Sequence, residues 1–408
     1  LYPGQGSQYF NMLAGLRDRE PVVRAVFEQA DRIMAPHLDG KCLSDFIFVD
    51  ADDEPAVTRA QVALMQTEIT QPAVLAADIA LTKLLNIYGI RPDMVMGHSL
   101  GEYAALVQSG SLSFADALEA VSARGKEMSK VAVDDNGKMA AVFAPLNDVQ
   151  RVLASIDGYA VIANINSSQQ AVIGGASGAI DEAVAKFQAE DVNVVPLPVS
   201  HAFHTKIVAP ASEPLMQVLS RMEVREPGLP VISNVSGDLY STGEGAVSSV
   251  IEFLGKQIAS PVQFIKGLEA LYDAGARVFV EVGPKKALKG FVDDVLGDRG
   301  DVVSLFANHP KIGDVTSFNQ ALCGLYAAGH GAGREAAQPQ VSVEPKPIEA
   351  HAEPAPAPVV ADATPARNEL VQLFNEFVQR GQQILAGTAP TAAGKIVISG
   401  AALGLPGT

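Results

Sequence analysis

The chain has 408 residues, of which 48% are hydrophobic, so it is long enough to bury large cores in two or three domains. Its 46 acidic side chains outnumber the 30 basic ones, and the resulting net charge of −16 argues against a nucleic-acid binder. We expect a cytoplasmic protein with no membrane partner, because Cys42 and Cys323 fit free thiols and neither a signal peptide nor an apolar run of roughly 20 residues is visible.

The first feature in chain order is a loop, Gly4-Gln5-Gly6, in which the backbone can approach a ligand closely. An ordinary polar turn is the alternative. A strong helix is predicted to begin at Gln71-Pro72, since proline suits a first helical turn, and to end at Gly89. Residues 94–96 then predict a short buried strand and residues 102–107 a helix, and such alternation is typical of an α/β layer with a parallel sheet.

Between this strand and this helix lies Gly97-His98-Ser99-Leu100-Gly101, which has the pattern of a nucleophile elbow. The tight turn needs residues without bulk on both sides of the serine, and Gly97 and Gly101 meet that need. The turn would place the Ser99 hydroxyl at a helix N-terminus, where the N–H of Leu100 can face an oxyanion. The alternative is that so short a motif arises by chance.

The next helix is predicted from residue 113 to about residue 131, and it carries Arg124 on the same stripe as Val121 and Met128. Ser113 and Asp116 resemble a capping box at its start. A guanidinium on the core-facing side of a helix needs a partner. Two interpretations stay open from position alone: a structural ion pair with a buried acid, and a bidentate site for a substrate carboxylate.

Residues 133–198 predict a small unit of their own, inserted between core segments 1–132 and 199–332. Its βαββαβ order matches a ferredoxin-like subdomain. The predicted elements lie at residues 139–144, 146–156, 160–166, 171–174, 180–189 and 192–197.

A loop with two histidines, His201 and His204, follows this unit. One of them is a candidate general base for Ser99. We expect no metal site, because no third ligand lies at a suitable spacing. Alternating strands and helices continue to about residue 331, with strands predicted at 231–234, 278–282 and 302–306 and helices at 251–258, 264–274 and 288–296.

The composition changes after the globular region. Residues 333–395 are rich in proline and alanine and predict an extended linker, with one amphipathic helix at residues 368–385. Residues 396–408 predict a strand and a turn. We interpret the chain as a piece of a longer polypeptide.

Several motifs together resemble the malonyl-CoA:acyl carrier protein transacylases and the acyltransferase domains of modular synthases. The resemblance covers about residues 1 to 330, and residues 396–407 more weakly resemble the opening of a ketosynthase domain. It implies an acyltransferase module of a polyketide or fatty acid synthase. We therefore expect an α/β-hydrolase-like core with a parallel sheet and a ferredoxin-like subdomain. The motifs are Gly4-Gln5-Gly6-Ser7-Gln8, Gly97 to Tyr103, Arg124-Gly125-Lys126, His201-Ala202-Phe203-His204 and Glu281-Val282-Gly283-Pro284.

The resemblance implies a ping-pong reaction in which Ser99 attacks the thioester and His204 takes its proton. The backbone N–H groups of Gln5 and Leu100 would form the oxyanion hole. The backbone carbonyl of Gln257 would orient the base. No bound cofactor is implied, because coenzyme A and the phosphopantetheine arm of an acyl carrier protein act as substrates.

The resemblance also implies a malonyl-CoA pocket in which Arg124 holds the free carboxylate of the malonyl group. His98, His201, Phe203 and Asn166 would line this pocket. Phe203 would occupy the space that an α-methyl group needs, which favours malonyl over methylmalonyl.

Other functions stay open from the sequence. A serine hydrolase or thioesterase of the α/β-hydrolase type needs an acid between serine and histidine in chain order, and Asp181 is a candidate. An acyltransferase of this kind could also load acetyl or methylmalonyl groups. A docking module with a vestigial site is disfavoured, because Ser99, Arg124 and His204 are intact.

Carrier proteins are normally acidic, so a chain of net charge −16 would need a local basic patch or apolar docking near Ser99. The candidate lysines are Lys126, Lys206, Lys285 and Lys286.

Overall fold

The computed structural model describes residues 1–333, in which five α-helices precede the first strand and further helices and short strands follow. The predicted amphipathic helix at residues 368–385, the rest of the predicted linker beyond residue 333 and the ketosynthase-like residues 396–408 lie outside the described residues. The α-helices are α1 Ala14–Arg19, α2 Pro21–Met34, α3 Ser44–Ile47, α4 Glu54–Ala63, α5 Thr67–Ile87, α6 Gly101–Gln108, α7 Phe114–Ser129, α8 Leu146–Leu153, α9 Ser177–Ala189, α10 Ser212–Leu219, α11 Ala246–Gln257, α12 Phe264–Asp273, α13 Ala287–Leu296 and α14 Asp314–Ala327.

Most strands lie where alternating or continuous apolar residues predicted them. The strands are β1 Val95–Met96, β2 Lys138–Phe143, β3 Ala160–Ser167, β4 Gln170–Gly175, β5 Asn193–Pro196, β6 Val231–Ile232, β7 Val262–Gln263, β8 Val278–Glu281 and β9 Val303–Phe306. Short 3₁₀ helices occupy Ala35–His37 and Lys206–Ala211.

The core contains a parallel sheet, as predicted. Strand β1 pairs with β6 and β8 pairs with β9, both in parallel. The first two residues of the chain join these pairs: Leu1 exchanges two backbone hydrogen bonds with the end of β8, and Tyr2 exchanges two with the end of β1, all 2.7 to 2.9 Å long. The order across the sheet is therefore β6, β1, the Leu1–Tyr2 segment, β8 and β9.

All segments of this sheet run in the same direction, so their carboxyl ends meet at one edge, where α/β proteins usually place their ligands. The chain leaves this edge in the loops after Tyr2, after β1, after β6 and after β8. Helix α5 is almost wholly buried and packs against α2, α6 and α7.

Residues 138–196 form a second sheet with the strand order β5-β2-β4-β3, in which all neighbours are antiparallel. Helices α8 and α9 cover it around a core that includes Val149, Ile180 and Phe187. Strand β7 extends this sheet by pairing in parallel with β3. The sequence analysis did not predict β7, which lies between α11 and α12.

The predicted start of helix α5 is wrong. The helix begins at Thr67, and Pro72 lies inside it rather than in the first turn. Proline lacks the N–H that would bond to the carbonyl of Glu68, a loss confined to one bond near the helix start. Helix α11 also begins earlier than predicted, after Gly245, which has a φ of 84°.

The predicted start of α7 agrees with the structure to within a residue. Ser113 is the N-cap, and its Oγ accepts a hydrogen bond from the N–H of Asp116 at 3.0 Å. The shorter aspartate does not complete a capping box. Its carboxylate accepts a hydrogen bond from the Ser113 hydroxyl instead, at 2.7 Å.

Candidate active site

Ser99 lies in the sharp turn between β1 and α6 with a φ of 52°, in the left-handed region. A Cβ atom at Gly97 would lie 1.9 Å from the carbonyl carbon of Gly101, and one at Gly101 would lie 2.1 Å from the backbone oxygen of Tyr2. Neither position admits a side chain. The two glycines therefore allow the turn, which presents the Ser99 hydroxyl at the carboxyl edge of the sheet.

His204 lies beside this hydroxyl, with its Nε2 at 2.7 Å from Ser99 Oγ. Its Nδ1 lies 2.9 Å from the backbone oxygen of Gln257 and 3.1 Å from that of Ser260. Because carbonyl oxygens only accept, Nδ1 carries the proton and Nε2 is free to accept from the serine. Burial, and then the charge of Arg124, lower the pKa of His204 to about 3, so the imidazole is neutral at physiological pH.

His204 is thus oriented by backbone carbonyls and by no carboxylate among residues 1–333. Asp181, the candidate acid of an α/β-hydrolase triad, is exposed on α9 and pairs with Lys138 at 2.6 Å. The structure does not bring Asp181 to the histidine, which argues against the hydrolase alternative.

The loop with Gly4 and Gln5 packs directly against the turn of Ser99. A Cβ at Gly4 would lie 2.4 Å from the backbone oxygen of the residue before the serine and 3.5 Å from the N–H nitrogen of Leu100. In the described part of the chain, the N–H groups of Gln5 and Leu100 donate to no protein acceptor. The two segments that meet at the turn of Ser99 therefore each carry a backbone donor that no described residue uses.

Arg124 extends from α7 to the same point and is only 2% exposed. One of its terminal nitrogens, Nη2, lies 3.2 Å from Ser99 Oγ and 3.2 Å from the side-chain oxygen of Gln257. Its Nε has no partner within the described residues. Burial lowers the pKa of Arg124, but a guanidinium stays protonated in proteins. Within residues 1–333, no carboxylate forms the structural ion pair with Arg124 that position alone left open.

The second sheet reaches the site through Asn166 on β3. Its side-chain oxygen lies 2.7 Å from His98 Nε2, and its amide nitrogen donates to Gln170 at 2.7 Å. The His98 ring packs against Phe264, and burial lowers the pKa of His98. The residue before Ser99 is thereby fixed to the neighbouring sheet.

The remaining predicted pocket residues lie on the loop of the base. Phe203 is 7% exposed and directly precedes His204. His201 is turned to other partners: its Nε2 lies 3.1 Å from the backbone oxygen of Val131, and its Nδ1 lies 3.2 Å from Ser200 Oγ. His201 therefore anchors the loop to the segment after α7.

Two functional residues beneath the serine were missed by the sequence analysis. Asn234, at the end of β6, accepts a hydrogen bond from the N–H of Ser99 at 2.5 Å and donates to the backbone oxygen of Gly97 at 2.7 Å. Glu102 is fully buried in the first turn of α6. Because a glutamate in the first turn of a helix usually faces solvent, the position of Glu102 in the sequence did not identify it as a residue of the site.

The carboxylate of Glu102 is held by donors from distant parts of the chain. It accepts hydrogen bonds from the Tyr240 hydroxyl at 2.5 Å, the Gln257 amide at 2.5 Å and the Asn234 N–H at 3.2 Å. Burial raises the pKa of Glu102 to about 7, although these hydrogen bonds and Arg124 oppose the rise.

Neither a metal cluster nor a membrane span is found in the described chain. Residues 1–333 contain no group of three or more histidine, cysteine, aspartate or glutamate side chains placed to hold a metal ion. None of their helices is long and apolar enough to cross a bilayer.

The chain is similar to known acyltransferases over most of its length. A family model described as an acyl transferase domain matches residues 1–319. The malonyl CoA-acyl carrier protein transacylase of Bacillus subtilis is 34% identical over 300 residues, which cover 72% of this chain and 89% of that protein.

A type I polyketide synthase for phenolphthiocerol synthesis from Mycobacterium marinum is 34% identical over 323 residues, which cover 78% of this chain but 14% of the synthase. A solved malonyl-transacylase in complex with its type II polyketide synthase acyl-carrier protein matches with a TM-score of 0.68 and 28% identity, covering 79% of this chain and 97% of that one.

Proposed function

The chain belongs to the acyl transferase domain family, and on that basis we propose that it transfers a malonyl group from malonyl-CoA to the phosphopantetheine thiol of an acyl carrier protein. Arg124 is the observation that supports this function most directly. It is a buried cation 3.2 Å from the nucleophile, and its Nε has no hydrogen-bond partner in the described part of the chain. A malonyl group brings a carboxylate to this cation, whereas an acetyl group leaves the charge uncompensated.

The proposed reaction has two steps with one base. Ser99 Oγ attacks the thioester carbonyl while His204 Nε2 takes its proton. The N–H groups of Gln5 and Leu100 stabilise the oxyanion, and coenzyme A leaves with the proton from His204. The carrier thiol then attacks the malonyl-serine ester and gives its proton to His204, which returns it to Ser99.

We also propose the finer architecture that the sequence predicted. Residues 1–132 and 199–332 form the α/β-hydrolase-like core, which the turn at Ser99 on a parallel sheet supports. Residues 133–198 form the ferredoxin-like subdomain, which the strand order β5-β2-β4-β3 supports. His98 and Asn166 then line the pocket between the two.

Basic groups flank the proposed oxyanion loop and suit an acidic carrier protein. Lys285 Nζ donates to the backbone oxygen of Gly6 at 2.8 Å, and Lys286 lies over the ring of Phe306 at 5.3 Å. His309 packs against the same ring, and burial together with the positive charges of nearby lysines lowers its pKa. We place the approach of the carrier on this side of the site.

We propose in addition that residues 396–408 begin a ketosynthase domain of the same polypeptide. The likeness of these residues to a ketosynthase opening supports this, as does the match to a polyketide synthase. The cytoplasm is the proposed compartment, since Cys42 and Cys323 are exposed free thiols.

Phe203 is expected to control the acceptance of a substituted acyl group. Phe203→Ala should raise methylmalonyl loading relative to malonyl loading by about 10- to 200-fold, because one methyl group in a pocket is worth about 1–3 kcal/mol. Competition between the two coenzyme A thioesters, read by mass spectrometry of the acyl-enzyme, measures the ratio. Phe203→Leu is the control of intermediate volume. An unchanged ratio in a Phe203→Ala protein that still loads malonyl would show that this ring does not set the selectivity.

Transfer to a carrier protein tests the function itself. The full chain is incubated with malonyl-CoA and a phosphopantetheinylated acyl carrier protein, and malonyl-carrier is quantified by mass spectrometry. We expect malonyl-carrier and free coenzyme A in equal amounts. Release of malonate without malonyl-carrier, together with turnover of simple esters, would instead indicate a serine hydrolase.

A further inference from the structure

We propose that the side chain of Gln257, held by Glu102, is a positioning residue that places Arg124 for a substrate carboxylate and so determines the preference for malonyl over uncharged acyl groups. This inference rests on the proposed function. It assigns to Gln257 a role beyond its backbone carbonyl, which faces the base.

The Gln257 side chain contacts three parts of the site at once. It lies at the end of α11 and is 1% exposed. Its amide nitrogen donates to the backbone oxygen of Ser99 at 2.9 Å and to Glu102 Oε2 at 2.5 Å. Its amide oxygen accepts from Arg124 Nη2 at 3.2 Å. One side chain therefore joins the nucleophile, the buried acid and the substrate-facing cation.

The orientation of this amide is fixed by the chemistry of its neighbours. The backbone oxygen of Ser99 only accepts, so the amide nitrogen must face it, and Arg124 only donates, so the amide oxygen must face the guanidinium. Glu102 also favours the amide nitrogen on its side, because its carboxylate acts as an acceptor, as it does toward the Tyr240 hydroxyl and the Asn234 N–H. If the amide were flipped, its nitrogen would face the Arg124 donor and its oxygen would face the backbone oxygen of Ser99, and neither pair could form a hydrogen bond.

A neutral amide can hydrogen-bond to the Arg124 guanidinium without neutralising its positive charge. If Glu102 met Arg124 directly, the ion pair would compete with the substrate carboxylate. Gln257 separates the two, so within residues 1–333 the guanidinium hydrogen-bonds only to neutral groups, Ser99 Oγ and the Gln257 side-chain oxygen, and its Nε has no partner. Burial lowers the pKa of Arg124, and the through-space interactions with Tyr103 and Glu102 only oppose that lowering. The positive charge is thus left available to a malonyl group.

Two substitutions at Gln257 distinguish a role in positioning Arg124 from a purely structural role. Both keep the backbone carbonyl that accepts a hydrogen bond from His204. Gln257→Leu removes the acceptor that positions Arg124, and we expect the malonyl-to-acetyl loading ratio to fall about tenfold. Gln257→Glu places a carboxylate against Arg124, and we expect malonyl loading to fall about 100-fold while acetyl loading changes far less. Intact-mass measurement of early acyl-enzyme formation from each thioester gives kcat/KM for both.

Gln217→Leu is the matched control, because Gln217 is exposed on α10 and bonds only to Glu213. A purely structural role predicts that both thioesters slow by the same factor, and that result would overturn the inference. Tyr240→Phe is a second, milder variant that removes one donor to Glu102 and keeps the ring. If the Gln257 variants do not fold, a lowered ratio in Tyr240→Phe supports the inference and an unchanged ratio overturns it.

The wild-type protein distinguishes failure of the inference from failure of the function. If the wild type loads malonyl and the folded variants keep its malonyl-to-acetyl loading ratio, only the role of Gln257 is overturned. Absence of malonyl loading in the wild type overturns both.

Discussion

Ser99→Ala is expected to abolish acyl-enzyme formation from malonyl-CoA, with a loss of about 10⁴-fold or more in transfer to a carrier protein. Among the described residues, the Ser99 hydroxyl is the hydrogen-bond partner of His204 Nε2, at 2.7 Å, and alanine leaves the base with nothing to deprotonate. Intact-mass measurement after incubation with malonyl-CoA detects the loss as the absence of an adduct.

The fold should survive this substitution, because alanine removes one oxygen and the bond from the Ser99 N–H to Asn234 is made by the backbone. Ser220→Ala is the control, since Ser220 is exposed and bonds only to a carbonyl of its own helix end. A malonyl adduct that persists in folded Ser99→Ala would place the nucleophile elsewhere.

Arg124→Ala is expected to lower malonyl loading by about 100-fold, since a hydrogen bond to a charged group contributes about 1.5–3 kcal/mol. Acetyl loading should stay within about threefold of the wild type or rise, because the substitution removes a buried charge that acetyl cannot neutralise. The two kcat/KM values, measured separately from acyl-enzyme formation, give the change in preference.

Arg124→Lys tests whether charge alone suffices. Lysine keeps the charge but lacks the planar pair of donors, so we expect a malonyl rate between those of the wild type and of Arg124→Ala. Equal losses with malonyl and acetyl thioesters in Arg124→Ala would show that the arginine supports the fold rather than the substrate.

The parts of the fold that the sequence predicted are those governed by local chemistry. Gly97 and Gly101 define the turn because no side chain fits at either position, and the flanking strand and helix follow from short-range patterns. Helix α7 and the four antiparallel strands of the second sheet were predicted for the same reason. The start of α5 was not, because Pro72 is tolerated inside a helix that is buried on nearly all sides.

The missed residues of the site depend on contacts between distant segments. Glu102 meets Tyr240 and Gln257, 138 and 155 positions away, and Asn234 meets Ser99 across 135 positions. Nothing in the local pattern around Glu102 shows that these groups converge on it. These groups meet only at the carboxyl edge of the parallel sheet. The sequence predicted a parallel sheet but not which residues of its strands lie next to one another.

Mass measurement of the intact wild-type chain after separate incubation with malonyl-CoA, acetyl-CoA and methylmalonyl-CoA tests the central claim most directly. We expect a malonyl-sized adduct on Ser99 to form much faster than either of the others. Equal or faster loading by acetyl-CoA or methylmalonyl-CoA would contradict the roles of Arg124 and Phe203, and no adduct from any of the three would contradict the acyl-serine mechanism.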